Sequence, residues 1–126
     1  MPLKIYSHEK NIGIVLKDYQ EAALRYLWQL GDKGAGSCEV WMHVNEDLKE
    51  KTISRGAIIL FLNTMVYEGV LDYTDALGKG GHRRIYTSMC NEAGFKKNYV
   101  KMVLKSLIRD YPEETHKIYK TLLDVI

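Results

Sequence analysis

The sequence contains no apolar run near the roughly 20 residues needed to cross a bilayer, so no membrane-spanning helix is expected. Behind the charged start Met1, Pro2, Leu3, Lys4, Ile5, Tyr6 no long apolar stretch follows, so a secretory signal is not expected either. A soluble protein of the cytoplasm is the expectation. There are only 2 cysteines, Cys38 and Cys90, too few for a disulfide framework. Cys38 and His43 lie five residues apart with no further ligand beside them. Buried structural thiols fit better than a metal site, and no metal or cofactor is expected. Catalytic motifs are also missing. There is no His-Glu-x-x-His, no Cys-x-x-Cys and no ordered Ser, His and Asp set. The acidic pairs Glu46/Asp47 and Glu113/Glu114 are consecutive, so on a helix they diverge by about 100° and do not form an acid–base pair. The chain is read as a non-enzyme. It has no internal repeat and no low-complexity segment.

What is present is enough apolar material for a core: 46% of 126 residues. The formal net charge is only +2, and it is unevenly spread. Residues 1–50 carry 6 basic and 8 acidic side chains, residues 51–88 carry 5 and 3, and residues 89–126 carry 7 and 5. The middle and the end are mildly basic, which permits phosphate contact without making a strongly basic nucleic-acid module.

Periodicity organises the chain. Residues 1–16 form an N-terminal segment of unclear structure, in which Ile12 to Leu16 reads as a short strand or a helix lead-in. A helix follows from Lys17 to Leu30, with Leu16, Tyr19, Ala23, Tyr26, Leu27 and Leu30 at three- and four-residue steps, and Gly31 ends it. Ser37 is a candidate cap for a second helix with Val40, Trp41, Val44 and Leu48 on its apolar face. A polar turn is expected within Asn45 to Lys51. A third helix starts near Thr52 or Ser54, runs Ile53, Ile58, Phe61, Leu62, Met65 and Val66 along one side, and stops at Gly69. Val70 to Thr74 and Arg84 to Thr87 alternate as strands. Residues 75–83 between them, with Gly78, Gly80 and Gly81, read as a flexible basic hairpin tip. A long helix over about 92–110 and another from Pro112 complete the chain.

Three short helices, a strand, a glycine-rich basic loop and a second strand, in that order, describe a winged helix-turn-helix within an α+β, mainly helical fold. The stretch Ile53 to Leu71 resembles the third helix of winged-helix transcriptional regulators of the penicillinase-repressor and multiple-antibiotic-resistance (MarR-like) style. Gly80 to Thr87 resembles their second wing strand, and Asn91 to Phe95 the lead into a dimerisation helix. The likeness spans roughly residues 17–95. It implies a winged helix-turn-helix domain over 17–90, a helical dimerisation arm over 91–126, and a homodimer that binds double-stranded DNA with the third helix in the major groove and the wing on the backbone.

By position, Thr52, Ser54, Arg55, Gly56 and Ile59 would face the groove, and Lys79, His82, Arg83 and Arg84 would form the wing contacts. Phe95, Tyr99, Val103, Leu107, Tyr111, Ile118 and Leu122 are the expected dimer interface. One departure stands out. Ile59 and Leu60 lie where such regulators more often carry polar or basic residues, and Ala57 to Leu62 is apolar all round. A helix of that kind is usually buried on more than one face. The alternative reading is therefore a winged-helix protein–protein interaction module, or a subunit of a larger assembly, without DNA readout. No residue set identifies a small-molecule effector pocket.

Overall fold

The computed structural model describes residues 11–49, 51–78 and 81–125; for Asn11, Ile14, Gly81 and His82 only the backbone is described. The described chain forms two compact units, one up to Glu92 and one from Ala93.

The first unit is a winged helix. It opens on a single 3-10 turn, Asn11–Ile14, where neither a strand nor an α-helical lead-in forms. Ile12, Val15 and Leu16 are buried there, so the apolar run serves as a plug for the core. Helix α1 spans Asp18–Leu30, and the Gln20 side chain accepts the Lys17 backbone N–H at its start (2.9 Å). Its buried residues are Ala23, Leu24 and Leu27. The seam is thus narrower than the expected stripe and centred on Leu24, while Tyr19, Tyr26 and Leu30 sit at its half-buried margins.

Strand β1, Ala35–Gly36, follows α1 and was not expected from sequence. Gly34 makes it possible. Its φ is +64°, and a Cβ there would lie 2.5 Å from the Tyr86 carbonyl oxygen and 2.7 Å from Thr87 Cγ2. Only glycine allows both that conformation and that approach.

Helix α2 spans Ser37–Leu48. Ser37 is inside it and Gly36 occupies the cap position, so the expected cap lies one residue too late. Val40 and Val44 are buried against the other helices. The helix ends at Lys49, a non-glycine residue with φ of 50°.

The turn into the third helix is held by side chains from α2. Asn45 Oδ1 accepts the Ile53 backbone N–H (2.8 Å), Asn45 Nδ2 donates to the Ile53 carbonyl (3.2 Å), and Trp41 Nε1 donates to the same carbonyl (2.8 Å). Helix α3 is Arg55–Tyr67. Of the two expected caps Ser54 is the one used: its Oγ accepts from the Ala57 N–H at 3.1 Å. Ile58, Phe61, Leu62 and Met65 are buried, the i, i+3, i+4, i+7 pattern of a single buried stripe. The helix closes in a Schellman motif, with Gly69 N–H on the Val66 carbonyl and Val70 N–H on the Met65 carbonyl. Gly69, at φ of 80°, takes the left-handed position.

Strands β2 (Leu71–Gly78) and β3 (Gly81–Ser88) form the wing. They are longer than the alternating runs suggested: most of 75–83 is paired strand, in register from Leu71 with Ser88 to Gly78 with Gly81. The tip residues Lys79 and Gly80 lie outside the described residues. β1 pairs with the other side of β3, Ala35 with Tyr86 and Gly36 with Ile85, giving the antiparallel order β1-β3-β2. The core sits between the helices and the root of this sheet, where Leu24, Leu27, Val40, Val44, Ile58, Leu62, Met65 and Leu71 are fully buried.

The second unit contains helix α4, which begins at Glu92 and runs to Asp110, and helix α5, Pro112–Val125. The link is tight. The Tyr111 N–H donates to the Leu107 carbonyl, and Thr115 Oγ1 donates to the same oxygen (3.1 Å). Among the described residues no helix is long and apolar enough to cross a membrane.

Candidate nucleic-acid interface

The buried stripe of α3 fixes what its other side shows. Arg55 and Gly56 are exposed in the first turn, Leu60 is 69% exposed, Ile59 36% and Tyr67 88%. The all-apolar run Ala57 to Leu62 is therefore buried on one side only, and its outward members face solvent. Thr52 and Ser54 are also exposed, and the Ser54 hydroxyl oxygen accepts from the Ala57 N–H as the helix cap.

Asn63 lies on the same outward side, one turn beyond Ile59 and Leu60. Its Oδ1 accepts from Arg84 Nη1 (3.0 Å) and from Tyr86 Oη (2.6 Å). The Arg84 guanidinium also lies 4.0 Å above the Tyr73 ring, a cation–π contact. Tyr73 and Tyr86 are cross-strand partners, as are Asp75 and Arg84, so these side chains share one face of the wing. This cluster fastens β2 and β3 to the open side of α3. Burial is the larger influence on the Tyr86 hydroxyl and raises its pKa, while the nearby Arg84 charge pulls the other way.

Arg83 points to the opposite face of β3 from Arg84. It is exposed, with no ion-pair partner among the described residues. The two adjacent arginines, grouped in sequence as wing contacts, therefore differ: one is tied into the protein and the other has no such tie among the described residues. Lys79 and the His82 side chain fall outside the described residues. The role of Asn63 has no local sequence signal, because its partners lie 21 and 23 residues away. The i, i+2 spacing of Arg84 and Tyr86 on one strand face is the only hint.

Of the candidate interface residues in the second unit, Phe95 and Tyr99 are buried and their rings lie 6.2 Å apart. Val103 is half-buried, and Leu107, Tyr111, Ile118 and Leu122 are exposed. Neither cysteine is the buried thiol expected from sequence: Cys38 is exposed and Cys90 only partly covered, and that partial burial raises the Cys90 thiol pKa. His43 is stacked 4.0 Å from the Tyr26 ring.

The charge of the first unit is close to balanced. Up to Glu92 the sequence has 11 basic and 12 acidic residues, and from Ala93 it has 7 and 4.

No protein-family model matches the chain, and no curated protein matches it. Among solved structures it is similar to a PadR-like transcription factor from Bacteroides fragilis, at 14% identity and a TM-score of 0.48, over 79% of this chain and 91% of that one. It is also similar to a protein described as a transcriptional regulator from Thermoplasma acidophilum, at 20% identity and a TM-score of 0.46, over 86% of this chain and 93% of that one. Neither is described as a penicillinase-repressor or MarR-like protein, the style that the sequence resembles. Likenesses this distant do not carry function across. The winged-helix architecture stands on the chain's own helix order and strand register.

Proposed function

We propose that this protein is a DNA-binding transcriptional regulator of the cytoplasm that acts as a homodimer, with α3 in the major groove and the wing on the phosphate backbone. The observation that carries this reading is the uncovered leading half of α3, flanked by a wing that Arg84 and Asn63 fasten to the same open side. Arg55 at the helix start and Arg83 on the wing supply the free cations; Thr52 and Gly56 border the same approach. Arg84 acts mainly by holding the wing in place. The dimer is supported by α5, which has no buried residue. A 14-residue helix is marginal on its own in water. With Ile118, Tyr119, Leu122 and Leu123 all more than half exposed, it has an apolar stripe that a second copy can cover. Leu107 and Tyr111 extend that surface, whereas Phe95 and Tyr99 are already enclosed.

The near-balanced charge of the first unit makes a steep salt dependence unexpected. Arg55 and Arg83, the two cations of this approach among the described residues, correspond to a slope of log K against log salt of about −4 for the dimer. The test is fluorescence anisotropy on duplexes selected from a random pool by the full-length chain. Arg83→Ala should weaken every duplex alike and flatten the slope by about 2, one lost phosphate contact per protomer. No retained duplex at low salt would refute DNA binding.

A second reading is a winged-helix protein interaction module. The exposure of Ile59, Leu60 and Tyr67 on a unit without excess positive charge favours it. Under that reading Arg55→Glu with Arg83→Glu leaves partner binding intact, whereas under the first it abolishes DNA binding.

A further inference from the structure

We propose that α3 recognises thymine through its C5-methyl group, with Ile59 and Leu60 as the contacts and Gly56 as the clearance that lets the helix approach. The inference rests on the DNA-binding reading and specifies which chemical feature of the duplex is read.

Two independent observations lead to it. The first is the apolar character of the middle of the open side of α3. Ser54 Oγ accepts from the Ala57 N–H as the helix cap, and the Thr64 hydroxyl gives its proton to the Leu60 carbonyl. Asn63 Oδ1 already accepts two hydrogen bonds, from Arg84 and Tyr86. A bidentate asparagine–adenine pair needs that oxygen together with the amide N–H, so it is not available. Between Arg55 at the start of this side and the exposed Tyr67 at its end stands the apolar pair Ile59 and Leu60. In the major groove the matching apolar feature is the thymine methyl.

The second observation is Gly56. Its φ is not in the left-handed region, and a Cβ there would meet nothing nearer than Ser54 Oγ at 4.0 Å. Neither the backbone nor the protein's own packing requires glycine. Glycine is also a poorer helix former than alanine. The missing side chain leaves the backbone of the leading turn open to close approach from outside, one turn ahead of Ile59 and Leu60.

The setting favours a duplex over an apolar protein surface. The patch adjoins the Arg55 cation, and Arg84, the neighbour of the exposed Arg83, bonds to the same side of α3 at Asn63. Protein interface cores are depleted of charge and anchored by broad aromatic contacts.

The experiment uses the full-length chain and the duplexes it selects from a random pool. Each thymine is replaced in turn by deoxyuridine, which keeps the hydrogen-bonding edge and removes only the methyl. The expected result is a loss of about fourfold at each contacted thymine, the worth of one buried methyl-sized group. Ile59→Ala and Leu60→Ala should each become indifferent to deoxyuridine at one position while still melting cooperatively. Gly56→Ala should bind about tenfold more weakly with no loss of thermal stability. Equal affinity for thymine and deoxyuridine duplexes, or undiminished binding by Gly56→Ala, overturns the inference and leaves DNA binding in place. Failure to retain any duplex at low salt overturns both and leaves the protein-interaction reading.

Discussion

The two compact units treat apolar side chains in opposite ways. Up to Glu92 the large ones converge: Leu24, Leu27, Ile58, Leu62, Met65 and Leu71 are completely enclosed. From Ala93 on, among the described residues, only Phe95 and Tyr99 are buried, while Val100, Ile108, Tyr111, Ile118, Tyr119, Leu122, Leu123 and Val125 are each more than half exposed. The first unit thus has a core of its own. The second has amphipathic helices whose apolar stripes are largely left open. A surface of that kind is unusual for a monomer; under the proposed dimer the second unit draws its stability from association, and the first from its own packing.

Leu62→Ala tests the self-contained side and should have the largest effect. Truncating a fully buried leucine should cost about 2–5 kcal/mol. Chemical denaturation should show this cost, and for the first unit it should not depend on protein concentration. Ile118→Asp with Leu122→Asp tests the other side. The pair should weaken the dimer by at least about a hundredfold, since each apolar contact surface lost is worth over 1 kcal/mol. Sedimentation would then show a monomer, with the first unit still melting cooperatively. A wild-type chain that is monomeric at high concentration would break the comparison outright. The smallest effect is alkaline. Burial raises the pKa values of Tyr86, in the first unit, and Tyr99, in the second. The fold favours the neutral hydroxyl, so this stabilisation is complete below pH about 10, the ordinary tyrosine value, and is lost as pH rises through the raised values. An ultraviolet phenolate titration should show late-ionising tyrosines that become ordinary on unfolding; Tyr99→Phe should remove one of them.

Much of this architecture is legible in the residues. The stripe Ile58, Phe61, Leu62, Met65 declares α3, and Gly69 its end, because helix period and left-handed caps are local properties. The arm helices are legible for the same reason. β1 is not: Ala35 and Gly36 have no pattern of their own, and the strand exists only because Gly34 lets the chain press against β3. The outer wing was hidden because both faces of 75–83 are largely polar or glycine, so alternation is lost where no core is near. At the candidate site, the composition of the α3 face could be read from sequence, but its exposure could not. The distinction between Arg83 and Arg84 depends on Asn63, which is distant in sequence.

The two-residue strand β1 has a mechanical consequence. It braces β3 only at Ile85 and Tyr86, so β3 is the middle of three strands there and half of a two-stranded ribbon from Arg84 outward. The ribbon is a cantilever with its fulcrum beside the residue that clasps α3. Amide protons at 85 and 86 should exchange with solvent far more slowly than those nearer the tip, and the free end can bend to follow a curved surface without disturbing the anchored root.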